Sequence, residues 1–106
     1  MHILFDQGTP LPLRRMLSAH HVETAWQRGW SEISNGELLT AAEAAGFDVF
    51  ITTDQNLRYQ QNLSERRIAI LVLTISNWPH LEPHASAVAA AAEMMQPGEY
   101  REWAPP

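Results

Sequence analysis

Short apolar runs alternate along this chain with segments whose apolar positions recur at helical spacing. A first strand covers about His2 to Asp6, with Ile3, Leu4 and Phe5 as its apolar run, and a turn with Gly8, Thr9 and Pro10 follows. Thr9 as N-cap and Pro10 at the first helical position predict a helix that presents Leu11, Leu13, Met16 and Leu17 and reaches about Ala19. His20 and His21 form a turn into a second strand, Val22 to Ala25, and the aperiodic stretch Trp26 to Ser34 reads as a loop or short irregular helix. Ser34 or Asn35 caps the next helix, which runs through Leu38, Leu39, Ala41 and Ala42 to Ala45 and ends on Gly46 in the left-handed conformation.

The third strand, Asp48 to Thr53, is almost continuously apolar, as expected where helices cover both faces of a sheet. A polar helix of about Leu57 to Leu63 leads to a fourth strand, Ile68 to Leu73. Asn77-Trp78-Pro79 then precedes a long Ala-rich helix, about His80 to Met95, ended by Pro97-Gly98. Residues 98–106 form a tail in which Glu99 to Trp103 can be a short edge strand. This alternation predicts a three-layer α/β/α fold with a mostly parallel sheet of four to five strands and short right-handed crossovers. With 106 residues and no Pro/Gly/Ser-rich linker, residues 1–106 are expected to be one domain.

Composition narrows the chemistry. There is no cysteine, so thiol nucleophiles, thiolate zinc sites and disulfides are excluded together. All seven basic residues are arginine, which excludes any mechanism that needs a lysine. A net charge of -5 does not suit a protein that binds duplex nucleic acid by neutralising phosphates, so any RNA would be single-stranded and weakly held. The absence of a signal-like opening segment or an apolar run of roughly 20 residues predicts a cytoplasmic chain without a membrane partner.

Two strand-like runs end on aspartate: Ile3-Leu4-Phe5 on Asp6, and Val49-Phe50-Ile51-Thr52-Thr53 on Asp54. In open α/β sheets ligands collect beyond the carboxyl ends of strands, at the switch point of strand order, so neighbouring strands would bring these carboxylates together there. Glu37, in the opening turn of the helix between them, is a candidate third ligand, although the helix dipole alone favours an acid there by roughly 0.3–1 kcal/mol. Oxygen ligands on an open site suit Mg²⁺ or Mn²⁺. Such an ion polarises phosphodiesters without a protein nucleophile, which makes phosphodiester hydrolysis the natural reaction. Each aspartate alone reads first as a helix cap or turn residue, and it is the matched pair with an acid between them that favours a metal site.

Around these acids, Thr53 is the preferred orienting hydroxyl over Thr52; Asn56 can contact substrate or a metal-bound water, although capping the following helix is its first reading, and Gln7 has the same two readings. Arg58 can hold a phosphate in a bidentate fork, whereas Arg66-Arg67 reads as a helix C-terminal cap. Trp26 and Trp30 could stack on unpaired bases, but burial in a core or homodimer interface is the expected role. His80 and His84 stand at i, i+4 spacing without the intervening glutamate of a zinc-protease motif, and read as a solvated helix face.

Three segments together resemble a short PIN-like domain: Ile3-Leu4-Phe5-Asp6-Gln7, then Ser34-Asn35-Gly36-Glu37-Leu38-Leu39, then Ile51-Thr52-Thr53-Asp54-Gln55-Asn56-Leu57. The similarity spans about Met1 to Trp78. It implies a metal-dependent ribonuclease with Asp6, Glu37 and Asp54 as catalytic, metal-binding acids, and the toxin of a toxin-antitoxin pair with an antitoxin protein as partner. The family's glutamate in a helical segment between the first acid and the Glu37 helix has no counterpart, since only Glu23 and Glu32 lie there. The alternative function is a catalytically inactive PIN-like module that binds a protein through a small-residue stripe, Ala85, Val88, Ala89, Ala92 and Met95. The layout also resembles a receiver domain with Asp54 as phosphoacceptor and Thr74 as switch hydroxyl. Asp6-Gln7 in place of an Asp pair, and the lack of lysine, argue against that.

Overall fold

The computed structural model describes residues 1–60 and 62–106. Five strands, β1 (His2–Phe5), β2 (His21–Thr24), β3 (Val49–Thr52), β4 (Ala69–Leu73) and β5 (Tyr100–Trp103), form one sheet in the order β2-β1-β3-β4-β5. Every neighbouring pair is parallel. The helices are α1 (Asn35–Ala44), α2 (Leu57–Gln60), α3 (Trp78–Leu81) and α4 (Ala85–Glu93), with 3₁₀ segments at Leu11–Leu17 and Glu82–His84. The anticipated α/β architecture is present, and residues 100–103 join it as a parallel edge strand.

Strand alternation splits the core into two layers. Ile3, Phe5, Val49, Ile51, Leu71 and Leu73 face one side, where the 3₁₀ helix Leu11–Leu17 and helix α4 cover them. Leu4, Phe50, Ile70 and Val72 face the other, beneath α1 and α2. The small-residue stripe of α4 lies inside the first layer: Ala85, Val88, Ala89, Ala92 and Met95 are all buried. It packs this helix on the 3₁₀ helix and the sheet and offers no free surface to a partner.

Several local expectations are corrected. Thr9 does not cap a helix; it is buried and its hydroxyl donates to the Ile51 carbonyl at 2.8 Å, so the chain tightens into a 3₁₀ helix that starts at Leu11. The second strand begins one residue earlier than expected, which takes His21 into the sheet. Helix α2 ends at Gln60, and the portion of the predicted helix at residue 61 lies outside the described residues. The long C-terminal helix is divided, because Pro83 lacks an amide hydrogen and its ring displaces the helical backbone, leaving α3 and α4 separated by a 3₁₀ turn. His80 and His84 therefore do not share one α-helix, and His84 packs on Trp103 with ring centroids 5.4 Å apart.

The crossovers are not uniform in hand. The β1-to-β2 connection moves towards one edge across the face of the 3₁₀ helix, while β2-to-β3 and β3-to-β4 move the other way across the opposite face, which gives all three the same hand. The β4-to-β5 connection moves in that second direction but carries α4 over the 3₁₀ face, so its hand is opposite. Parallel crossovers are right-handed in about 98% of cases. The exception has a packing reason: a seven-residue 3₁₀ helix alone leaves most of its sheet face uncovered, and α4 closes it.

Candidate functional site

Strand order reverses around β1, and the two aspartates stand just beyond the carboxyl ends of β1 and its neighbour β3. The backbone carries the chain from β1 directly into the site, since the Asp6 amide continues the ladder by donating to the Ile51 carbonyl at 3.0 Å. One hydroxyl then links the two acids. Thr52, fully buried at the end of β3, donates Oγ1 to Asp6 Oδ2 at 2.7 Å and accepts the Asp54 amide at 3.0 Å.

The other carboxylate oxygens are also oriented. Asp6 Oδ1 accepts the Gln7 amide at 2.8 Å, and Asp54 Oδ1 accepts the Asn56 amide at 3.0 Å. The Asn35 side-chain amide, at the start of α1, donates to Asp54 Oδ2 at 3.0 Å. Each oxygen has two in-plane lone pairs and, among the described residues, one such protein donor, so both carboxylates retain capacity for a cation. Both are half-buried rather than sealed. This donor set fits a hard cation that takes one or two carboxylates and keeps waters or substrate oxygens for its remaining positions.

Glu37 is not joined to this pair. It is exposed and is held by the N-cap of α1: Ser34 Oγ accepts the Glu37 amide at 3.3 Å and donates to Glu37 Oε1 at 3.0 Å. Asn35, two residues earlier, is the α1 residue that reaches Asp54. Among the described residues, the one set of three His, Asp or Glu side chains with ligand atoms mutually within 4.8 Å is His2, His21 and Glu23, at the other end of β1.

The orienting hydroxyl comes from Thr52, not Thr53. Thr53 instead meets the β1 turn: a Cβ on Gly8 would fall 2.4 Å from Thr53 Oγ1, so the turn passes close to the end of β3 only because residue 8 has no side chain. Arg58 is turned to β5, with Nη1 3.2 Å from Glu102 and Nη2 donating to the Tyr59 hydroxyl at 2.7 Å. That phenol and the Glu102 carboxylate raise its pKa above the ordinary arginine value. Asn56 contributes its backbone, and its side chain is exposed.

Arg66 does not cap a helix C-terminus. It reaches the Gly36 carbonyl, the Thr40 hydroxyl and the Glu43 carboxylate at 3.2, 2.9 and 3.0 Å, pinning α1. Partial burial would raise the Glu43 pKa, but the Arg67 amide, Arg66 and the Ile68 amide together hold it below its ordinary value.

Beside Asp6 lies a crevice of about 340 Å³ lined by Asp6, Gln7, Thr9, Leu11, Thr24 and Trp26. Trp26 is 74% exposed at this crevice, contrary to the burial expected for it, while Trp30 is half-buried edge-on to Phe47. A second cleft, about 250 Å³ and lined in part by Phe47, Asp48 and Ile68, precedes β3 and β4 at the opposite sheet edge from the aspartates.

No family model, curated protein or solved structure matches the chain. Thr52 and Asn35 are the residues sequence reasoning undervalued. A threonine at the last position of a buried strand, two before an aspartate, was the available signal for the first. The second is a polar residue at a helix start whose orientation depends on how α1 lies against β3.

Proposed function

We propose that this chain is a Mg²⁺- or Mn²⁺-dependent ribonuclease of PIN-like type that hydrolyses RNA phosphodiesters, with Asp6 and Asp54 as its metal-facing acids. The observation that carries the proposal is the shared Thr52 hydroxyl, which ties Asp6 to the Asp54 backbone at the carboxyl edge of the sheet. The bound ion would contribute Lewis acidity towards a phosphodiester. The protein's own residues account for the rest: Thr52 and Asn35 fix the carboxylates, and the Asp6 crevice gives a nucleotide room beside them. Trp26 offers an exposed ring on which an unpaired base can stack. The acidic net charge keeps RNA affinity low without the cation. In this reading the protein is cytoplasmic and acts as a toxin restrained by an antitoxin protein. Among the described residues, no helix is long and apolar enough to cross a membrane.

A second reading, an inactive PIN-like interaction module, draws on a different observation. Glu37 is engaged with Ser34 and the α1 side chain that reaches Asp54 is an amide, which leaves two acids at this sheet edge instead of three. One experiment separates the two. Mn²⁺ should raise the melting temperature of the parent chain but not of Asp6→Asn or Asp54→Asn, and the parent alone should cleave single-stranded RNA. Metal binding without cleavage would favour the module, and no metal effect at all would remove the nuclease reading.

A further inference from the structure

At the amino-terminal end of β1, about 13 Å along the strand from Asp6, three side chains with a different chemistry converge. His2 and His21 are directly paired across the β1–β2 ladder, and Glu23 follows two residues along on the same face. Both imidazoles direct Nε2 to the same oxygen, Glu23 Oε2, the His21 contact measuring 3.2 Å. The three ligand atoms lie within 4.8 Å of one another.

Two members are held in place without any ligand. The His2 ring stacks on Phe47 at 3.7 Å between centroids, and its backbone amide donates to Asp48 at 2.8 Å. Glu23 is gripped by the Arg28 fork, Nε to Oε1 at 2.9 Å and Nη2 to Oε2 at 2.8 Å. Arg28 is itself seated over Trp30 and Phe47, 5.4 and 5.1 Å from their ring centroids. His21 is the free arm, with its side chain 71% exposed.

We propose that His2, His21 and Glu23 form a binding site for a borderline divalent cation of the Zn²⁺ or Ni²⁺ class, with one coordination position open to solvent. Two imidazole nitrogens and one carboxylate oxygen suit such ions and not Mg²⁺, which prefers an all-oxygen shell. In zinc sites the ligand atoms stand about 2.0–2.2 Å from the metal, so the present cluster needs only small side-chain shifts to accept an ion in place of the imidazole protons. Arg28, whose fork spans both oxygens of the Glu23 carboxylate, is the partner that orients this ligand. Because β2 is the sheet's edge strand, an ion here would staple it to β1.

The test uses tag-free full-length chain titrated with ZnCl₂, NiCl₂ or MgCl₂ and followed by calorimetry and melting temperature. Zn²⁺ and Ni²⁺ should bind at one equivalent and raise the melting temperature, and Mg²⁺ should not compete for them. His21→Ala, at an exposed position that leaves folding intact, should weaken Zn²⁺ at least about tenfold, since even outer-shell losses cost roughly 10–100-fold. A variant with His20, His80 and His84 all changed to alanine should bind as the parent does. No Zn²⁺ binding, or binding that survives His21→Ala and is lost in the triple variant, would overturn the assignment.

Discussion

Thr52 donates its hydroxyl to the Asp6 carboxylate at 2.7 Å across 46 residues of chain, and the same oxygen accepts the Asp54 amide. A buried hydroxyl used in both directions thus adds a side-chain tie to the backbone bond from the Asp6 amide to the Ile51 carbonyl, just beyond the end of β1 at Phe5.

Thr52→Val keeps the shape of the side chain and leaves the Asp54 amide and one Asp6 oxygen without their partner. A loss of about 1–3 kcal/mol is expected in urea unfolding, and Thr52→Ser should recover most of it. A valine variant as stable as the parent would show that the bridge adds nothing.

Replacing Asn35 with aspartate puts a third carboxylate within reach of Asp54, where an amide now donates at 3.0 Å. Without divalent ions the change should lower the melting temperature, because like charges then meet. With Mn²⁺ the variant should gain more than the parent does, and an equal gain in both would show that residue 35 does not face the cation.

At Gly8, alanine drives its Cβ against Thr53 Oγ1. To relieve the contact the Thr53 side chain must turn from its present position or the turn must shift, so Gly8→Ala should cost about 1 kcal/mol. In a Thr53→Ala background the same change should cost much less. A double-mutant cycle reads this coupling directly, and simple additivity would mean the two residues do not press on each other.

The Glu23 carboxyl is held down at about 2 by its hydrogen bonds from Arg28, against the opposing effect of its own burial and with help from His2. Its folded pKa is below the unfolded value of about 4.5. The stabilisation is therefore complete above pH ~4.5 and disappears as pH falls from there towards 2. Glu23→Gln should flatten the acid limb of a stability-against-pH profile in that window, measured by urea midpoints. Parallel profiles for parent and variant would contradict the assignment.

Much of this architecture was legible in the chain. Gly46 marks the end of α1 with φ +85°, and the apolar runs at Ile3, Val49 and Ile70 mark strands buried on both faces. The positions of Asp6 and Asp54 followed from those strands. Side-chain orientation is less legible: Thr52, the last residue of β3, holds Asp6 where Thr53 is the expected hydroxyl, and along a strand a step of one residue exchanges the faces. Glu37 carries the charge a metal site needs, yet its engagement depends only on Ser34 three residues earlier, a local signal in the chain. Pro83 likewise announced the break between α3 and α4.

The sequence by itself determined the succession of strands and helices, because apolar period, caps and prolines act over a few residues. It also determined which strands end in acids and which chemistries are impossible, because a chain without cysteine or lysine cannot supply those groups. Only the tertiary structure decided that β1 lies between β2 and β3, that α4 crosses with the opposite hand, and that Thr52 and Asn35 are the residues on the two aspartates. The same holds for His2 and His21, which sequence separates and the sheet pairs. These are contacts between distant segments, chosen by how whole faces pack, and no local pattern in the chain encodes them.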